Sequence, residues 1–169
     1  YDIWSADGGV RKDWKNGSYL RFSAFYNDSQ YDLPGSLTYD QWKNSPKMSV
    51  KPNDSARLTT YGLNATAYGV INDENALKLV STASRRNSHS HNEDAYGGLS
   101  DYDSDIYSYS LSPQYVLTAP LGRFANTLTA GADLRWDRMH AASSYTSPYY
   151  GSFVKPDFTR FTSGLFAED

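Results

Sequence analysis

The 169-residue sequence contains no cysteine, so it has neither a disulfide frame nor a thiolate metal site. It has no run of about 18 apolar residues, which excludes a transmembrane helix. It has no excess of one charge: the net charge is −3 and the basic residues are dispersed, which argues against a nucleic-acid partner. No Gly-rich phosphate loop occurs. No G-x-S-x-G or comparable nucleophile context accompanies the Ser, His and Asp present. Carboxylates abound only in the segments between apolar-periodic stretches, so a glycosidase-like pair has no anchor. Enzymatic readings therefore find no support. No initiator Met and no signal segment stand at Tyr1. The last residues stop in mid-pattern, so residues 1–169 are expected to be an internal piece of a longer chain.

What the sequence does hold is tyrosine and tryptophan, 15 and 4 of them, more than a polar soluble protein usually needs. It also holds a two-residue rhythm. Seven segments alternate apolar and polar positions, the signature of strands. They are Ile3–Trp14, Tyr19–Asn27, Leu58–Ile71, Ala76–Arg86, Asp105–Leu117, Asn126–Asp137 and Phe158–Glu168. The clearest is the sixth, where Leu128, Ala130, Ala132, Leu134 and Trp136 oppose Thr127, Thr129, Gly131, Asp133, Arg135 and Asp137. No segment shows a 3.6-residue period. One helical turn fits within Leu37–Trp42.

The connections alternate in length. Short turns are expected at Lys15-Asn16-Gly17, Asn72–Asn75 and Ala119–Arg123. Asn-Gly suits a tight hairpin because both residues tolerate positive φ. Long loops are expected over Tyr26–Asp54, Asn87–Ser104 and Met139–Asp157, the first with a turn at Leu33-Pro34-Gly35. In a soluble sandwich the apolar faces would favour Val, Ile and Leu. Here they are Ala, Leu, Tyr and Trp, with aromatics near the segment ends. Lipid-facing strands of outer-membrane barrels have that character, an apolar band about 25 Å tall between aromatic girdles. The opposite face suits a wet lumen. Closure is needed because an unpaired strand edge does not survive in lipid. The expectation is an all-β, antiparallel, up-and-down transmembrane β-barrel section of about seven strands. Its short turns face the periplasm and its long loops face outside.

Three stretches carry a resemblance. They are Tyr26-Asn-Asp-Ser-Gln-Tyr-Asp-Leu-Pro-Gly-Ser-Leu-Thr38 with Gln41 and Pro46, then Leu111–Asp133, then Gly164-Leu-Phe-Ala-Glu-Asp169. In this order they resemble the middle of the barrel domain of TonB-dependent outer-membrane receptors. Asp32 stands where the family has a small residue, and Ser45-Pro46 replaces its Asp-Pro. The resemblance implies a barrel of about 22 strands around an N-terminal plug, of which residues 1–169 are a partial barrel domain. It implies active uptake of a scarce nutrient, most often a ferric siderophore or similar metal chelate, energised by the TonB complex through a segment outside this sequence. The implied partners are outer-membrane lipid, TonB and the siderophore-type ligand, with no cofactor and no resident metal. The implied location is the bacterial outer membrane. The alternatives are a passive porin-like channel and a soluble all-β ligand- or carbohydrate-binding module.

The ligand-contact candidates in the extracellular loops are Tyr31, Tyr39, Trp42, His89, His91, Tyr145, Tyr149 and Tyr150. Their plainer reading is packing of loop on loop, or a solvated polar loop for the His-x-His pair. Arg21, Arg86, Asp133, Arg135, Asp137 and Arg160 are expected to line the lumen, with mutual ion pairing as their default role. Asp101-x-Asp103-x-Asp105 lacks the glycine and distal glutamate of a calcium loop.

Overall fold

The computed structural model describes residues 1–32, 39–45, 53–94, 97–121 and 124–168. They form one antiparallel sheet with a short helix. The elements are β1 (Asp2–Asp13), β2 (Tyr19–Asp32), α1 (Tyr39–Asn44), β3 (Ser55–Val70), β4 (Asn75–Glu93), β5 (Leu99–Leu121), β6 (Phe124–Thr146), β7 (Gly151–Val154) and β8 (Asp157–Glu168). Each strand pairs with the next from β1 to β7, and β8 also pairs with β6. This is an up-and-down meander. Among the described residues no ladder joins β1 to β8, so the sheet is open at those edges.

The turns form for local reasons. At the first hairpin Gly17 has φ of 82°, and the Trp14 N–H donates to the Ser18 carbonyl at 2.9 Å. Only Gly adopts that φ without steric cost. At the second, the Asn72 side-chain oxygen accepts the N–H groups of Glu74 and Asn75 at 3.0 and 2.9 Å, an Asx turn. Residues 122 and 123, within the expected Ala119–Arg123 turn, lie outside the described residues, as do Leu33-Pro34-Gly35, Leu37, Thr38 and Pro46. The expected helical turn is present as α1, Tyr39–Asn44.

The seven expected strands are present, and a short eighth, Gly151–Val154, pairs with the end of β6. The three expected long loops are corrected: β2 runs to Asp32, into the first of them. The stretch Asn87–Ser104 is not a long loop: β4 runs to Glu93 and β5 starts at Leu99. Likewise β6 continues to Thr146, through the first part of the expected third loop. In the added parts of β4 and β5 most side chains on both faces are polar, so no hydrophobic alternation marks them. Cross-strand pairing extends them instead.

The sheet is a single layer and has almost no core. Among the described residues the only buried apolar side chains are Ala76 and Ala141. Leu63, Leu77, Phe161 and Leu165 stand 64%, 54%, 65% and 89% exposed. They share a face, here the aromatic face, with Trp4, Tyr26, Tyr61, Tyr109, Leu111, Leu134 and Trp136. Trp4 meets Tyr26 edge-on at 5.3 Å, and Tyr109 meets Trp136 at 5.4 Å. No described helix is long and apolar enough to cross a membrane, which says nothing of strands.

The other face, here the polar face, carries Ser23, Asn64, Thr82, Ser110, Ser112 and Asp133. Side-chain hydrogen bonds link its rungs: Thr82 to Asn64 at 2.9 Å and Ser112 to Asp133 at 2.6 Å. Gly131 lies beneath the Phe166 ring on this face. A Cβ there would stand 2.6 Å from the Pro113 carbonyl oxygen and 2.8 Å from Phe166 Cζ. The ring covers backbone that a larger residue would push away. Gly131→Val is therefore expected to destabilise the folded chain by about 1–3 kcal/mol through overpacking. Denaturant titration against the parent chain measures it, and an unchanged midpoint would contradict this packing.

Candidate functional site

The register builds one concentrated site on the polar face. Thr60, Arg86, Ile106, Met139 and Phe158 occupy one cross-strand row. Ser84, Ser108, Asp137 and Arg160 occupy the next. Arg135, opposite Ser110, stands one row further on. Together these side chains line a pocket of about 350 Å³. Because β-strand side chains repeat every two residues, Arg135, Asp137 and Met139 all point into it from β6.

Asp137 is the anchor. Its side chain is only 10% exposed, whereas those of Arg135 and Arg160 are 54% and 67% exposed. The carboxylate accepts from Ser108 Oγ at 2.6 Å, Arg135 Nε at 2.9 Å and Arg160 Nη2 at 2.8 Å. These charge-assisted bonds hold two guanidiniums in fixed positions. Arg86 shares the pocket but makes no hydrogen bond or ion pair with any described residue. Three guanidiniums thus surround one carboxylate.

The aromatic face ends differently. Beyond the tyrosines it becomes a band of paired charges. Arg57 meets Asp28 at 2.8 Å, His89 meets Asp103 at 2.6 Å, His91 meets Asp101 at 2.5 Å, and His140 meets Asp157 at 3.1 Å. Arg85 grips Asp105 through both Nε and Nη2, at 2.7 and 2.5 Å. Among the described residues no group of three or more His, Asp or Glu is placed to hold a metal ion.

No protein-family model matches the chain, and no curated protein matches its sequence. The structure is similar to the crystal structure of the ferric citrate transporter FecA in its unliganded form. The TM-score is 0.68 at 15% identity, covering 95% of this chain and 25% of that one. The chain shares the antiparallel all-β fold of the matched quarter of that transporter. It spans a quarter of that transporter's length, and at this identity the likeness is one of fold.

Within the wall the expected site residues divide. Arg86, Arg135, Asp137 and Arg160 come together in the pocket. Asp133 lies further along β6, bonded to Ser112. Arg21 lies on β2 opposite Arg11 and Thr66, away from the pocket. His89 and His91, expected in a loop, sit in β4 on the aromatic face, on the side of the sheet opposite Arg86. Tyr31 and Tyr145, also expected in loops, lie in β2 and β6.

The aromatic candidates make separate contacts rather than one cluster. Tyr31 stacks on Tyr1 at 6.4 Å, Tyr39 faces Trp42 within α1 at 6.1 Å, and Tyr145 faces Tyr150 at 6.4 Å. Tyr149 is 97% exposed. The Tyr145 hydroxyl donates to Asp94 at 2.7 Å, and that bond, followed by desolvation, raises the phenol pKa above its ordinary value.

The sequence did not single out Ser108, Ile106, Met139 or Phe158 as pocket residues. It also missed the paired band. A signal for the band was present: His89-x-His91 and Asp101-x-Asp103-x-Asp105 share a two-residue spacing, and the antiparallel pairing of β4 with β5 sets the two histidines opposite Asp103 and Asp101.

Proposed function

We propose that the chain is part of the wall of a bacterial outer-membrane transporter of the TonB-dependent class, which takes up a ferric siderophore or similar metal chelate. The observation that carries this is the single-layer sheet with one aromatic face and one polar face, matched over 95% of its length to a ferric citrate transporter. The aromatic face meets lipid, with Trp4, Tyr26, Tyr61, Tyr109 and Trp136 at the outer interface, where amphipathic rings are favoured. The polar face lines the lumen. The ordered motifs Tyr26–Thr38, Leu111–Asp133 and Gly164–Asp169 support the same class.

The test is uptake of radiolabelled ferric chelates by cells carrying the parent chain in the outer membrane, with and without functional TonB. The expected result is accumulation that requires TonB. Equal accumulation without TonB would replace this reading with a passive channel. A parent chain that partitions as a soluble monomer would replace it with a soluble binding module.

A further inference from the structure

We propose that Arg86, together with Arg135 and Arg160, forms an anion-binding subsite on the lumen wall that takes the carboxylate oxygens of a negatively charged ferric chelate. This rests on the transporter reading and narrows it to a class of substrate.

Charge accounting carries the case. Asp137 already accepts hydrogen bonds from Ser108, Arg135 and Arg160, so its carboxylate is committed. The pocket retains two positive charges more than negative ones, and Arg86 is the guanidinium without a partner among the described residues. Each guanidinium has five N–H donors in a planar fork. Arg160 commits only Nε and Nη2 to Asp137, which leaves donors over for a further acceptor. Planar forks of this kind match carboxylate geometry in a bidentate way.

The apolar side chains add to this. Ile106, Met139 and Phe158 share the row of Arg86. They give one side of the pocket an apolar lining, with Phe158 itself half exposed. They also offer surface to the carbon skeleton of a ligand. At about 350 Å³ the pocket is at the small end of ordinary small-molecule sites. It opens on the lumen face at the level of Tyr109 and Trp136 on the opposite face, the outer interface of the wall. A ligand entering from outside reaches it early.

The roles divide accordingly. Arg135 and Arg160 are held by Asp137 and present a fixed edge. Arg86 is free to close on the bound anion. Asp137 sets the surplus, because it cancels one positive charge of three.

The test uses the full-length receptor purified in detergent and two probes, ferric citrate as the anionic carboxylate chelate and an uncharged ferric trihydroxamate. Arg86→Gln is expected to weaken ferric citrate binding by at least tenfold and to change trihydroxamate binding by less than twofold. Arg86→Lys is expected to restore part of the loss. Raising the salt concentration is expected to weaken ferric citrate binding to the unmodified receptor, which needs no variant to fold. Unchanged ferric citrate affinity in Arg86→Gln would overturn the inference. So would TonB-dependent uptake of the trihydroxamate by a receptor that does not bind ferric citrate, while leaving the transporter reading intact. Failure of TonB-dependent uptake with both probes would overturn the two together.

Discussion

Ala132→Arg is expected to destabilise the lipid-embedded barrel by about 2–4 kcal/mol, the cost of a guanidinium near the middle of the bilayer. Ala132 lies between Leu128 and Trp136 on the aromatic face of β6, at the centre of that strand's apolar run. Its partner on β8 is Leu165, and Ala130 and Leu134 flank it on the same face, so no carboxylate stands beside it to compensate the charge. Thr129→Arg on the same strand is the control. It places the same side chain on the polar face opposite Glu168, and its effect is expected to stay within about 0.5 kcal/mol. Refolding titrations of the two variants in lipid vesicles give the comparison. Equal penalties would remove the distinction between a lipid face and a lumen face.

Asp137→Asn is expected to cost about 1.5–3 kcal/mol, the worth of hydrogen bonds to a charged group. Asparagine keeps the shape but leaves Arg86, Arg135 and Arg160 as uncompensated like charges in one pocket. The low end of that range is the better expectation, because both paired arginines are more than half exposed and water screens them. The penalty should shrink in about 1 M salt, where screening acts over roughly 3 Å. The same variant should tighten ferric citrate binding, since it removes the only carboxylate among the described pocket residues. Stability and affinity therefore move in opposite directions. A variant that lost both would mark Asp137 as a packing residue alone.

Much of this architecture was legible in the sequence because it is written locally. Asn16-Gly17 and Asn72–Asn75 specify their turns through backbone conformation and side-chain capping that involve only a few neighbours. The run from Leu128 to Trp136 declares a strand because its two faces carry side chains of different polarity. Where both faces are wet, that contrast vanishes. The upper part of β4, with His89 and His91, and the start of β5, with Asp101 and Asp103, read as loop for this reason, although their strands are held by backbone ladders and His–Asp pairs. The four residues of β7 are too few to show any period.

The candidate site was legible by parity but not by proximity. Counting alternate residues put Arg86, Arg135, Asp137 and Arg160 on one face. Register alone makes them neighbours, and register depends on the lengths of the connections between β4, β5, β6 and β8. The mistaken loops over 87–104 and 139–157 hid those lengths. The same count, once β4 is extended through His91, assigns both histidines to the aromatic face and away from the pocket.

The most direct test of the central claim is a nitroxide scan along β6 in the parent chain, reconstituted in lipid with any native cysteines removed. Labels are placed one at a time at Thr127, Leu128, Thr129, Ala130, Ala132, Asp133 and Leu134. Collision with dissolved oxygen reports lipid, and collision with an aqueous nickel chelate reports the lumen. Oxygen access is expected at Leu128, Ala130, Ala132 and Leu134, and nickel access at Thr127, Thr129 and Asp133, alternating with a period of two. Nickel access at every position would contradict a barrel wall between lipid and lumen.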